Sequence, residues 1–138
     1  MPESCYALYT DGACWGNPGE TAAGMVILDE KDNEIYKCAV YLGHGTNNTA
    51  EYSAIYEGLQ AALTIGIDRL SVYSDSQLVI RQLNGEYQVK SESLKPFRDK
   101  VLELAEKFSR LEFIFLKREY TKEPHILAER LLKNREAD

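Results

Sequence analysis

Hydrophobic positions along the chain predict nine elements. Cys5 to Tyr9 is a short apolar and aromatic run, a buried strand that ends at Thr10-Asp11-Gly12-Ala13. The stretch "GNPGETAAG" that follows is dense in turn formers. Met25 to Leu28 is apolar again, and "DEKDNE" puts a hairpin tip at Lys31-Asp32-Asn33. A third strand runs from Ile35 to Leu42. Gly43-His44-Gly45 reads as a loop with His44 in solvent.

From Asn48 to Ile65 the period becomes helical. Tyr52, Ile55, Leu59, Ala62 and Leu63 fall on one face, with Asn47 or Asn48 as N-cap and Glu51 in the first turn. Gly66 ends this helix. "RLSVYS", Arg69 to Ser74, alternates as a strand with Asp75 at its C-terminal end. Ser76 to Leu83 is a short helix. Leu94, Phe97, Val101, Leu104 and Phe108 recur at 3-4-3-4 spacing and predict an amphipathic helix. Leu111 to Leu116 is a strand, and a last helix starts near Pro124, since proline suits a first turn. The order β-β-β-α-β-α-α-β-α implies three antiparallel strands, then strands joined through helices and therefore parallel. A mixed sheet with helices on both faces follows.

Composition narrows this picture. At 138 residues, 1–138 reads as one domain with a full core. No apolar run approaches the roughly 20 residues that span a bilayer, so no membrane is expected as a partner. The start "MPESCY" lacks a signal peptide's basic and apolar regions, which predicts the cytoplasm. Cys5, Cys14 and Cys38 have no metal-type spacing and read as free thiols. The net charge of −6 argues against holding nucleic acid by bulk electrostatics. It is compatible with carboxylates that hold metal ions.

Three acids occupy unusual positions: Asp11 at the end of the first strand, Glu51 at the start of the long helix, Asp75 at the end of the fourth strand. Ligands of α/β sheets gather at the carboxyl ends of parallel strands. If strands one and four are neighbours, the three acids converge there. Clustered like charges repel, and divalent cations relieve that repulsion. Oxygen ligands suit Mg2+ or Mn2+. Two such ions about 4 Å apart can activate water and stabilise the leaving oxygen of a phosphodiester.

The sequences around these acids are "YTDGACWGNPG", "TNNTAEYSAIYEGL", "YSDSQLVIRQLNG" and "REYTKEPHILAERLL". Together, in this order, they resemble type 1 ribonuclease H over essentially the whole chain. The resemblance implies an α/β, ribonuclease H-like, five-stranded mixed sheet of order 3-2-1-4-5. It implies endonucleolytic hydrolysis of the RNA strand of RNA–DNA hybrids, leaving 5′-phosphate and 3′-hydroxyl ends. Asp11, Glu51 and Asp75 would hold two divalent cations, with Asp11 bridging them and Glu51 on the leaving-group side. Gly12, Cys14 and Asn17 would lie near the scissile RNA strand. Asn47, Asn48 and Gln77 would read the minor groove and the 2′-hydroxyls, which distinguish RNA from DNA.

The chain departs from the family pattern in three places. Asn84 to Ser93 leaves no room for an extra basic helix, so this is a short form without a basic protrusion or added hybrid-binding domain. Lys90, Lys95, Arg98 and Lys100 form only a modest patch. The loop "KREYTKEP" has no histidine, and its Glu119 and Glu123 read as solvated charges. Third, His125 stands where the family pattern has a fourth aspartate, two residues before Leu127-Ala128. Neutral imidazole binds divalent metals, and a helix N-terminus disfavours its protonation. His125 therefore reads as a ligand of the nucleophile-side ion, which favours Mn2+ relative to Mg2+, or alternatively as a base toward the attacking water. The expected enzyme is a monomer. The competing expectations are a same-fold nuclease that also cuts double-stranded RNA, and a weak or inactive hybrid-binding module.

Overall fold

The computed structural model describes residues 5–137. Five strands, β1 (Tyr6–Trp15), β2 (Gly19–Leu28), β3 (Glu34–Gly45), β4 (Arg69–Ser74) and β5 (Arg110–Phe115), form one sheet. Its order is β3-β2-β1-β4-β5. The β1–β2 and β2–β3 pairs are antiparallel; β1–β4 and β4–β5 are parallel. The helices are α1 (Asn47–Ile65), α2 (Gln77–Leu83), α3 (Lys95–Ala105) and α4 (Lys122–Ala137), with a 3-10 turn at Arg118–Tyr120. The mixed sheet and its order are as the sequence predicts. Among the described residues no helix is long and apolar enough to cross a membrane.

Two apolar layers pack on the sheet. On one side Leu8, Met25 and Ile27 meet Tyr52, Ile55 and Leu59 of α1 and Val101 of α3. On the other, Ala13 and Ala22 meet Ala128 and Leu132 of α4, with Trp15 at the margin. β2 is therefore covered on both faces, and Thr21 through Ile27 are all buried. A strand buried on both faces does not alternate. That is why "GNPGETAAG" reads as turn although β2 already begins at Gly19.

Other boundaries move for similar reasons. β1 does not end at Asp11. It runs on to Trp15 because its antiparallel partner continues to Glu20, whereas the parallel ladder with β4 stops at Thr10 and Ser74. Gly43-His44-Gly45 is not a loop but the end of β3, paired with Gly19 to Thr21, and His44 is exposed there. The cap of α1 is Thr46, not Asn47 or Asn48. Its hydroxyl accepts from the Thr49 N–H at 3.1 Å, and its own N–H donates to Thr49 Oγ1 at 2.9 Å. Glu51 thus falls in the second turn. α3 closes at Ala105, and Phe108 reaches the core from beyond it. β5 starts at Arg110. α4 starts at Lys122, so Pro124 and His125 are its third and fourth residues.

Two glycines set how closely the helices approach the strand that carries Asp11. A Cβ on Gly12 would lie 2.4 Å from the Ala50 carbonyl carbon and 2.5 Å from the Glu51 nitrogen. A Cβ on Gly24, the residue opposite Asp11 on β2, would lie 1.8 Å from the Pro124 oxygen. The absent side chains let α1 and α4 seat their backbones against the sheet, one on each face. Overpacking such a contact costs about 1–3 kcal/mol or more. Gly24→Ala is expected to lower unfolding free energy by at least that amount in urea titration; an unchanged midpoint would show that α4 does not need this approach.

Candidate active site

Each acid arrives on a different element. Asp11 sits where β4 no longer pairs with β1, and Asp75 follows the last residue of β4. Glu51 points inward from α1 beside Gly12. One ligand oxygen from each lies within 4.8 Å of the others. Asp11 is fully buried and Glu51 nearly so. The Gly12 N–H donates to Glu51 Oε1 at 2.8 Å.

Burial acts first on the Asp11 carboxyl, and the neighbouring Asp75 adds to it. Contacts with His125 and Arg118 oppose both, and the balance raises Asp11 from the ordinary 3.8 to about 7. Glu51 is pushed well above its ordinary value, by burial first and then by Asp11 and Asp75. Asp11 Oδ1 and Asp75 Oδ1 are buried with no hydrogen-bond partner. Buried polar atoms in folded proteins are normally satisfied. Three mutually repelling carboxyl groups with two orphaned oxygens fit a divalent cation, a hard ion that takes oxygen ligands.

Basic groups flank the cluster. Arg118, at the start of the 3-10 turn, donates through Nε to Asp75 Oδ2, and its Nη2 lies 3.7 Å from Asp11 Oδ1. Burial lowers the pKa of this guanidinium, but the three acids more than offset that and raise it. His125 Nδ1 lies 2.6 Å from Asp11 Oδ2. Its Nε2 lies 3.2 Å from Arg118 Nη1 and 3.1 Å from Glu129 Oε1. Asp11, Glu51, Asp75 and His125 are thus brought together. Arg118 and Glu129 are site neighbours that sequence reasoning missed. A signal existed for the first: three buried acids need a counter-charge, and Arg118 opens the same motif that holds His125.

Of the residues expected at the substrate, Asn17, Asn47 and Asn48 meet at the start of α1. Asn17 Oδ1 accepts from the Asn47 N–H at 2.9 Å, tying the β1–β2 turn to the helix N-terminus. Cys14 Sγ donates to the Gly16 carbonyl at 2.6 Å. Asn17, Thr46 and Asn48 line a cleft of about 300 Å³ with Ser91, Ser93 and Leu94. Gln77 is exposed at the first residue of α2, two residues after Asp75. The modest basic patch is partly neutralised: Lys95 pairs with Glu92 at 2.7 Å and Arg98 with Asp99 at 2.8 Å. Glu123 pairs with Lys37 at 3.1 Å rather than standing free in solvent. Cys5, Cys14 and Cys38 are free thiols.

An acid cluster where β1 and β4 part, in a sheet of order 3-2-1-4-5, defines a ribonuclease H-like α/β protein. A family model described as reverse transcriptase-like matches residues 9–131. The ribonuclease HI of Halobacterium salinarum is 38% identical over 96 residues, which are 70% of this chain and 48% of that protein. The chain therefore spans about half the length of that curated relative. The crystal structure of ribonuclease H1 from the same archaeon superposes with a TM-score of 0.92 at 32% identity, covering 94% of this chain and 98% of that one. LC11 ribonuclease H1, solved in complex with an RNA/DNA hybrid, gives 0.86 at 35% identity, covering 91% and 94%. The chain belongs to this reverse transcriptase-like, ribonuclease H family.

The raised Asp11 carboxyl has a consequence for stability. Between its unfolded value near 3.8 and its folded value of about 7, the folded state holds a proton that the unfolded state has released. Asp11's contribution to the stability of the metal-free protein therefore falls as pH rises through that window and is lost above it. Thermal melts in a chelator are expected to show Tm dropping from pH 5 to pH 8. Divalent cation should restore it at pH 8, and Asp11→Asn should reduce the drop, leaving the part due to the raised Glu51 carboxyl. A metal-free Tm that rises over this range would contradict the assignment.

Proposed function

We propose that this protein hydrolyses the RNA strand of RNA–DNA hybrids by metal-dependent phosphodiester hydrolysis, leaving 5′-phosphate and 3′-hydroxyl ends. The observation that carries the reading is the buried Asp11–Glu51–Asp75 cluster with its two orphaned oxygens. A protein that only binds a polyanion gains nothing from acids placed together in this way. The three carboxylates would hold two divalent cations, Mg2+ or Mn2+, and such ions supply Lewis-acid stabilisation of charge on phosphoryl oxygens.

The chain's own residues prepare that chemistry. The Gly12 N–H fixes the orientation of Glu51. Asp11 is held within the paired strand β1 and Asp75 directly after β4, so their separation is set before substrate arrives. His125 is the fourth member of the site, against Asp11 Oδ2. As a neutral imidazole it adds a softer donor than carboxylate, which favours Mn2+ relative to Mg2+. Arg118 carries positive charge beside the cluster, where an incoming phosphate is attracted and the acids are screened.

Recognition is assigned to the lip around the cluster. Gly12, Cys14 and Asn17 lie on the scissile-strand side, while Asn47, Asn48 and Gln77 face the minor groove and its 2′-hydroxyls. Asn17 works through its strap to Asn47 as well as directly. With net charge −6 and the Lys95 and Arg98 charges already paired, affinity rests on these close polar contacts more than on bulk attraction.

The test is cleavage of labelled RNA–DNA hybrid, with double-stranded RNA as a second substrate, in Mg2+ or Mn2+. Loss of an outer partner of a metal ligand alone costs roughly 10–100-fold. Asp11→Asn is therefore expected to reduce hybrid cleavage by at least about 100-fold. Cleavage of neither duplex by the parent protein would overturn the enzymatic reading. Cleavage of both would broaden the substrate to double-stranded RNA. His125→Ala should lose more activity in Mn2+ than in Mg2+; equal rates to the parent in both metals would remove His125 from the site.

A further inference from the structure

We propose that Trp15, Arg130 and Lys133 form a second contact for the RNA strand of the hybrid, holding the phosphates next along the strand from the scissile one. The proposal rests on the reading of this protein as a hybrid nuclease and adds a binding surface to it.

Trp15 is the chain's single tryptophan. It ends β1 and packs at the margin of the apolar cluster under α4. It also lines a cleft of about 270 Å³ with Ile126, Glu129, Arg130 and Lys133. Residues 126, 130 and 133 recur at i, i+4 and i+7, along one ridge of α4. Glu129 joins this cleft to the acid cluster, because its Oε1 lies 3.1 Å from His125 Nε2. At 1.5 Å per residue, Arg130 and Lys133 stand about 7.5 and 12 Å from His125 along the helix axis. A strand whose scissile phosphate sits on the acids and continues over α4 brings its next phosphates to them. The strand in reach is the one being cut, since Cys14, assigned to that strand, immediately precedes Trp15.

The polar groups of the cleft suit an anion. Arg130 and Lys133 are exposed and have no ion-pair partner among the described residues. Lys95 and Arg98, by contrast, are paired with Glu92 and Asp99. The indole N–H of half-buried Trp15 also has no acceptor among the described residues. Guanidinium, ammonium and indole N–H groups only donate, which matches phosphate oxygens that only accept. Ile126, 46% exposed, adds an apolar surface for a ribose. Glu129 is the one acid of the cleft, and it is engaged by His125. A second cleft beside Trp15, of about 330 Å³, is lined by Glu20, Leu132 and Arg135. Its cation is committed: Arg135 lies 3.5 Å over the Tyr41 ring, and the Tyr41 hydroxyl donates to Glu20. Charge complementarity therefore selects the first cleft.

The test is equilibrium binding of labelled hybrid, across a range of salt, to the Asp11→Asn protein so that the strand stays uncut. In that background Arg130→Gln with Lys133→Gln should weaken binding roughly 10-fold at about 0.1 M salt and flatten the slope of log affinity against log salt by about 1 per charge. Lys31→Gln with Lys107→Gln removes the same charge at the opposite end of the sheet, in the β2–β3 turn and before β5, and should leave that slope unchanged. Trp15→Phe keeps an aromatic ring in the apolar cluster but loses the N–H, and should weaken binding about 5–10-fold. Saturating hybrid should also shift the emission of Trp15, which is free of other tryptophans. Uncharged methylphosphonate linkages in the RNA strand should abolish the difference between Asp11→Asn alone and the Arg130/Lys133 variant; the same linkages in the DNA strand should preserve it. The proposal is overturned if the two lysine and arginine pairs act alike, if hybrid binds without changing Trp15 emission, or if the DNA-strand linkages are the ones that matter. If the parent protein does not cleave hybrid, it is the hybrid reading that has failed; cleavage by the parent with equal effects of the two pairs is the failure of this cleft alone.

Discussion

Repulsion among three carboxyl groups within 4.8 Å, shielded from water, is the constraint around which this protein is built. Charges in such a place cannot all be ionised without compensation. The neighbouring groups are the compensation. The Gly12 N–H holds Glu51, Arg118 pairs with Asp75, and His125 meets Asp11. Two oxygens, Asp11 Oδ1 and Asp75 Oδ1, still lack a hydrogen-bond partner. The unrelieved remainder is what makes the cluster fit a divalent cation.

Holding that arrangement falls to the sheet and to two close helix approaches. The β1–β4 ladder stops one residue before Asp11, so β1 leaves its parallel neighbour where the acids need space. Gly12 admits the α1 backbone on one face and Gly24 admits the first turn of α4 on the other. Glu51 and His125 therefore reach one aspartate from opposite sides of the same strand pair. α4 is held further along by a small apolar cluster of Ala13, Ala22, Ala128 and Leu132. The apolar core thus works for the site: it sets distances that the acids, left to themselves, would increase.

Much of this was legible in the chain. Alternation and helical spacing predict the nine principal elements, and the turn residues separate them. Boundaries slipped where tertiary contact overrides local pattern. β2 is apolar on both faces because helices cover both, and its small residues look like a turn. Gly43 to Gly45 pairs as strand because Gly19 to Thr21 lies opposite. Thr46 caps α1 ahead of two asparagines because Thr49 answers it three residues on.

By itself the sequence determined the element order, the parallel and antiparallel connections, and the acids and histidine that gather at one point, since periodicity, turn chemistry and motif are local properties of a chain. Only the tertiary structure decided which charges meet those acids. Arg118 lies 107 positions from Asp11 and 43 from Asp75 along the chain, and no spacing rule links them. Glu129 is one of many exposed helical acids until the ring of His125 is seen between it and Asp11. Hydrogen bonds and ion pairs act over a few ångströms in space, so the partners of a buried charge are set by packing and not by order along the chain.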